Sequence, residues 1–127
     1  MKQYVVDASA LLAAIHNEVG GDYVQQRIQD CIVSSVNWSE VLQKLERAGA
    51  DVDTVEQGLK ALGMTIVNFT EQDARLTAAL WSVAKSLGLS LADRACLALG
   101  ERLRVDVITA DRVWSEGEFC IEVILIR

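Results

Sequence analysis

Short apolar runs and helical stripes alternate along this chain. Tyr4-Val5-Val6 is β-rich and stops at Asp7, and Ala8 to Ile15, rich in alanine and leucine, predicts a helix. Gly20-Gly21 breaks the pattern, Asp22 to Gln29 predicts a second short helix, and Cys31 to Val36 predicts a buried strand. Trp38, Val41, Leu42 and Leu45 recur at helical spacing, so a helix is expected over Trp38 to Ala48, stopped by Gly49. Another is expected over Val52 to Leu62, ended by Gly63, and then a strand over Met64 to Phe69. Leu76, Leu80, Ala84 and Leu87 share one face of a long helix predicted over Glu71 to Leu87, with Gly88 placed as its C-terminal cap. Leu91 to Arg102 predicts a helix, Asp106 to Thr109 a strand, Val113 to Glu116 one helical turn, and Cys120 to Ile126 a last apolar strand.

Strands alternate with helices, and most strands are apolar throughout rather than on alternate positions. Both features predict a largely parallel sheet covered on two faces, an α/β fold. In such sheets ligands sit at the carboxyl ends of the strands. No linker, repeat or low-complexity segment divides the 127 residues, so one domain over 1–127 is expected. With 51% apolar and 24% charged residues, intrinsic disorder is excluded. No apolar stretch reaches the ~20 residues of a membrane helix, and the first fifteen residues do not read as a signal peptide, so a soluble, cytoplasmic protein is expected. Cys31, Cys96 and Cys120 are widely spaced, form no CxxC pair, and are read as small core residues in a reducing compartment. The formal charge of −6 argues against a broad basic surface coating duplex DNA, while leaving room for a small nucleic-acid site.

Four acids stand out by position. Asp7 ends the first strand, Glu40 opens the helix after the second, Asp93 opens the helix after Gly88, and Asp111 follows the strand ending at Thr109. Each is expected at or just inside a helix N-terminus, where free N–H groups and the helix dipole favour a carboxylate for purely structural reasons. Ser90-Leu91-Ala92-Asp93 fits a capping box, Asn37-Trp38-Ser39-Glu40 resembles one, and Thr70-Glu71-Gln72-Asp73 fits it with no chemistry assigned. The functional alternative needs the four together. Several carboxylates in one pocket repel unless a cation neutralises them. Oxygen ligands without histidine or cysteine select Mg2+ or Mn2+ over zinc. Magnesium keeps water ligands able to attack a phosphodiester, and two ions about 3.5–4 Å apart stabilise both attacking and leaving oxygens.

At these residues the chain resembles the PIN-domain family, in particular the VapC-type toxins of toxin–antitoxin pairs. The carrying segments are Val5-Val6-Asp7-Ala8-Ser9-Ala10-Leu11-Leu12, Trp38-Ser39-Glu40-Val41, Leu89 to Leu99 around Asp93, and Ile108-Thr109-Ala110-Asp111-Arg112. The resemblance implies a three-layer α/β/α sandwich around a short, mainly parallel sheet, and a Mg2+-dependent endoribonuclease in which a metal-bound water attacks the phosphodiester. It implies Asp7, Glu40, Asp93 and Asp111 as catalytic metal ligands, with Ser9 and Thr109 as supporting hydroxyls. It implies an RNA substrate, a cognate antitoxin and a homodimer. After Asp111 the next acid is only Glu116, so one firmly bound ion is expected, with a second arriving with RNA.

Around the four acids, Lys44 and Arg47 share a helical stripe with Glu40, and Arg94 and Arg112 each follow a proposed ligand; all four are candidate RNA contacts. Trp114 is a candidate for base stacking, Trp38 is expected in the core, and Trp81 in the core or a dimer interface. His16 is expected on the surface. The alternative function is a catalytically silent interaction module of the same fold that binds an antitoxin-like partner. A phosphoacceptor domain fits poorly, since Thr70, not an aspartate, follows the strand ending at Phe69.

Overall fold

The structure, a computed structural model, describes residues 2–127. Five strands form one parallel sheet: β1 (Tyr4–Val6), β2 (Cys31–Ser34), β3 (Thr65–Val67), β4 (Asp106–Thr109) and β5 (Val123–Leu125), in the order β3-β2-β1-β4-β5. Among the described residues seven α-helices surround it: α1 (Ala8–Ile15), α2 (Gly21–Gln25), α3 (Ser35–Arg47), α4 (Val52–Ala61), α5 (Glu71–Ala79), α6 (Trp81–Ala84) and α7 (Leu91–Leu103). The three-layer α/β/α sandwich is therefore borne out.

The layers follow from which strand residues face which way. Val6, Cys31, Val33 and Ile108 pack against α1 to α4, with Leu11, Leu12, Trp38, Val41 and Leu45. Val5, Ile32 and Val107 point to the other face and pack against Leu80, Ala84, Trp114 and the α7 residues Cys96 to Leu99. Alternate residues of one strand thus feed two cores, which is why the strands carry no polar alternation. Starting from β1, the chain winds one way through β2 to β3 with α1–α4 on one face. It then returns across the other face through α5–α7 to pair β4 with β1, at register Val5 to Val107. The order of strands reverses at the β1–β4 boundary, and the carboxyl edge there is where this topology opens a crevice.

The turns are made by backbone requirements. Gly88 adopts φ +68° as the expected cap ahead of α7. At Gly21 a Cβ would stand 2.2 Å from the Ala13 carbonyl oxygen, so only glycine lets α2 fold back onto α1.

Several boundaries differ from the pattern. β2 ends at Ser34 rather than Val36, because the Ser34 hydroxyl accepts a hydrogen bond from the Val36 N–H and starts α3 there. Glu40 consequently lies in the second turn of α3, not at its opening. The helix expected over Glu71 to Leu87 bends at Leu80 (ψ −12°) and finishes in a 3-10 turn; Leu80 and Ala84 reach the core, as the stripe predicts, while Trp81 stays 55% exposed, outside it. The last strand shrinks to three residues, and Cys120, expected in the core, is exposed. Trp114 is fully buried under the sheet, which removes it as a stacking platform. Trp38 is a core residue, as expected, with its indole N–H donating to Glu56 Oε1 at 2.8 Å.

The two tryptophans separate in a denaturation experiment. Trp114→Ala should cost about 3–5 kcal/mol of unfolding free energy in urea, and Trp81→Ala within about 0.5 kcal/mol of nothing. A Trp114→Ala protein as stable as wild type contradicts the packing described.

Candidate functional site

Asp7 occupies the N-cap position of α1, yet its carboxylate makes no capping bond. It turns instead across the switch point. Its Oδ2 accepts hydrogen bonds from Ser9 Oγ at 2.7 Å and from Thr109 Oγ1 at 2.9 Å, while its own N–H donates to the Ile108 carbonyl at 2.8 Å. The hydroxyls are themselves fixed: Ser9 Oγ accepts from the Ala110 N–H and Thr109 Oγ1 from the Asp111 N–H, both at 3.1 Å. One network thus joins the ends of β1 and β4 and sets where Asp111 begins.

The second half of the site is tied by Asn37, wholly buried in the first turn of α3. Its Nδ2 donates to Glu40 Oε1 at 3.1 Å and to the Ala92 carbonyl at 3.0 Å, which binds α3 to the first turn of α7 beside Asp93. Asn37 Oδ1 is buried without a partner. The sequence reading missed this residue, grouping it with Glu40 as a cap-like pattern. The available signal was its spacing: three residues before Glu40 places both on one helical face.

Asp93 forms the predicted capping box, its Oδ2 accepting from the Ser90 N–H at 2.9 Å while the Asp93 N–H donates to Ser90 Oγ at 3.1 Å. Asp111 Oδ1 caps a 3-10 turn through the Val113 N–H at 3.2 Å. Capping therefore accounts for one oxygen of Asp93 and one of Asp111, and for none of Asp7 or Glu40. The Thr70–Asp73 pattern is also a true capping box, and Asp73 is in addition paired with Arg102.

Electrostatics tie three of the acids together. Asp7 is 4% exposed, and burial pushes its carboxyl up to about 6; the Ser9 and Thr109 hydroxyls pull it down, and the negative charges of Asp93 and Glu40 push it up further. Beneath them the thiol of Cys96, fully buried on α7, is pushed well above its ordinary range by burial and then by Asp7, Asp93 and Glu40. Among the described residues, no three His, Cys, Asp or Glu side chains stand close enough as arranged to hold a metal ion. The donor chemistry nevertheless fits a hard divalent cation. Asp7 Oδ1, Glu40 Oε2, Asp93 Oδ1 and Asp111 Oδ2 have no hydrogen bond within the described residues, while the partner oxygen of each is anchored.

Not every flanking residue joins the site. Arg94 turns away from it, its Nη1 donating to the Thr77 carbonyl at 3.1 Å and its Nε buried, so α5 and not a phosphate holds it. Lys44, Arg47, Arg112 and His16 are exposed.

The fold is a parallel α/β sandwich with a buried carboxylate at its switch point, and Asp93 and Glu40 act on that charge. Residues 4–119 match the family model described as PIN domain, and the chain belongs to that family. A toxin–antitoxin complex from Klebsiella pneumoniae has a TM-score of 0.78 at 17% identity, covering 98% of each chain. DNA-bound VapBC from Salmonella typhimurium gives 0.76 at 13% identity over 100% of both chains, and FitAcB from Neisseria gonorrhoeae 0.74 at 17% identity over 98% of both. A comparison with curated proteins gives no match.

The burial of Asp7 sets a sign for stability against pH. Its folded pKa near 6 lies above the ordinary 3.8, so the folded state holds the proton more tightly than the unfolded chain does. Stability should therefore fall as pH rises from about 4 to about 6, by about 3 kcal/mol in total. Asp7→Asn removes this dependence. In EDTA it should melt several degrees above wild type at pH 7.5, and the gap should close towards pH 4; a variant that melts below wild type at pH 7.5 contradicts the assignment.

Proposed function

We propose that this PIN-domain chain is a divalent-metal-dependent endoribonuclease, using Mg2+ or Mn2+, and the toxin of a toxin–antitoxin pair. One observation carries the proposal: Asp7 is buried at the switch point with Asp93 and Glu40 near enough to act on its charge, and on these three acids and Asp111 one oxygen is anchored while the other is unengaged. Asp7, Glu40, Asp93 and Asp111 would hold the ion through those second oxygens. A divalent ion in this setting supplies a Lewis acid for the scissile phosphate and lowers the pKa of water. The protein's own part is orientation. Ser9 and Thr109 fix Asp7 and Asn37 fixes Glu40, so that each ligand loses little rotamer freedom when it is used.

The similar folds in toxin–antitoxin, VapBC and FitAcB complexes support an antitoxin as the protein partner. A homodimer acting in the cytoplasm completes the proposal; no helix among the described residues is long and apolar enough to cross a membrane. The second reading, a silent module that binds an antitoxin-like partner, is favoured by a single fact: among the described residues no three candidate ligands stand within reach of one ion as arranged.

Cleavage mapping on defined RNAs separates the two. Wild type should cut with Mg2+ and not with EDTA, and Asp7→Asn should lose cleavage by on the order of a hundredfold or more. Mg2+ should also raise the wild-type melting temperature, and that of Asp7→Asn much less. Cleavage by Asp7→Asn at the wild-type rate refutes the assignment, and no cleavage by wild type leaves the silent module.

A further inference from the structure

Beside the acidic edge lies a cleft of about 210 Å³, lined by Ser9, Leu12, His16, Glu18, Lys44 and Arg127. Its boundary with the edge is Ser9, whose hydroxyl holds Asp7. Lys44 stands one turn along α3 from Glu40. The cleft thus adjoins the acidic edge at Ser9 and along α3.

Its charge is opposite to that of the pocket. Glu18, the one acid in the lining, is paired with Arg127 at 3.5 Å, and that guanidinium also donates to the Val19 carbonyl at 3.1 Å. Lys44 is exposed and has no carboxylate within 4.0 Å among the described residues. Several other cations are engaged elsewhere: Lys2 with Asp106, Lys60 with Glu56, Arg102 with Asp73, and Arg94 with the Thr77 carbonyl. On a chain of net charge −6, an unpaired ammonium next to the most negative pocket is the natural resting place for a neighbouring phosphate of a polyanion.

We propose that this cleft is a subsite for an RNA phosphate flanking the scissile one, with Lys44 supplying the charge and His16 and Arg127 further N–H donors. The proposal rests on the nuclease reading and adds a requirement to it: a substrate must carry at least one phosphate beyond the one cut. Phosphate contacts of this kind position the chain and carry no base specificity.

The test uses an RNA that wild type cleaves, in which each flanking linkage in turn is replaced by a neutral methylphosphonate. One neutral linkage should lower kcat/KM about tenfold for wild type and leave Lys44→Ala nearly unaffected, since that variant has already lost the same contact. Lys44→Arg should behave as wild type. Lys2→Ala, at the opposite end of β1, should change neither kcat/KM nor the response to any linkage. The slope of log kcat/KM against log salt should flatten by about 0.7 in Lys44→Ala. Losses from Lys44→Ala and from every neutral linkage that simply add, or Lys44→Ala cleaving like wild type, overturn the subsite and leave the nuclease standing. Failure of wild type to cleave any RNA overturns both.

Discussion

Everything distinctive about this fold depends on placing a buried carboxylate where the sheet changes direction. Asp7 follows β1 directly, and β1 is the strand from which the chain winds first to one side and then to the other. A charge at that point is expensive, because burial and two neighbouring acids both oppose it. Two hydroxyls offset part of that cost: Ser9, two residues on in the first turn of α1, and Thr109, from the end of β4 that the switch point brings near. Topology and electrostatics are therefore one constraint here: the β1–β4 pairing that creates the crevice also delivers Thr109 to Asp7.

Much of this was legible in the sequence. Apolar runs without alternation implied a parallel sheet packed on both faces, and Val5 and Val6 do face opposite cores. Gly88 and the Ser90–Asp93 box behave as local chemistry predicts, because a cap is decided within four residues. What failed turned on the direction of single side chains, one locally and the rest at long range. Ser34 and Val36 read equally well as strand, and only the serine's turn to the Val36 N–H ends β2 early. That two-residue shift is why Asn37 was passed over: it sits inside α3, where its amide reaches Ala92, far away in sequence. Trp114 and Arg94 were misjudged for the same reason. Sequence adjacency to an acid says nothing about the direction of a side chain, and both turn into the layer formed by α5 and α7.

The four acids look alike as text, yet they divide physically into two pairs. Asp93 and Asp111 are held by backbone N–H groups, which fix one oxygen of each. Asp7 and Glu40 are held by side chains instead: Asp7 by Ser9 and by Thr109 of β4, and Glu40 by Asn37 of its own helix, which is itself tied to α7. A cap and a ligand are consequently not competing descriptions of the first pair. A carboxylate has two oxygens, and one spent on a helix N-terminus leaves the other oriented rather than occupied. Asp7 stands at an N-cap position, yet its carboxylate makes no capping bond and is held by the Ser9 and Thr109 hydroxyls instead. The hydrogen bonds of this carboxylate therefore join the start of α1 to the end of β4 across the crevice, where a capping bond would have tied it to α1 alone.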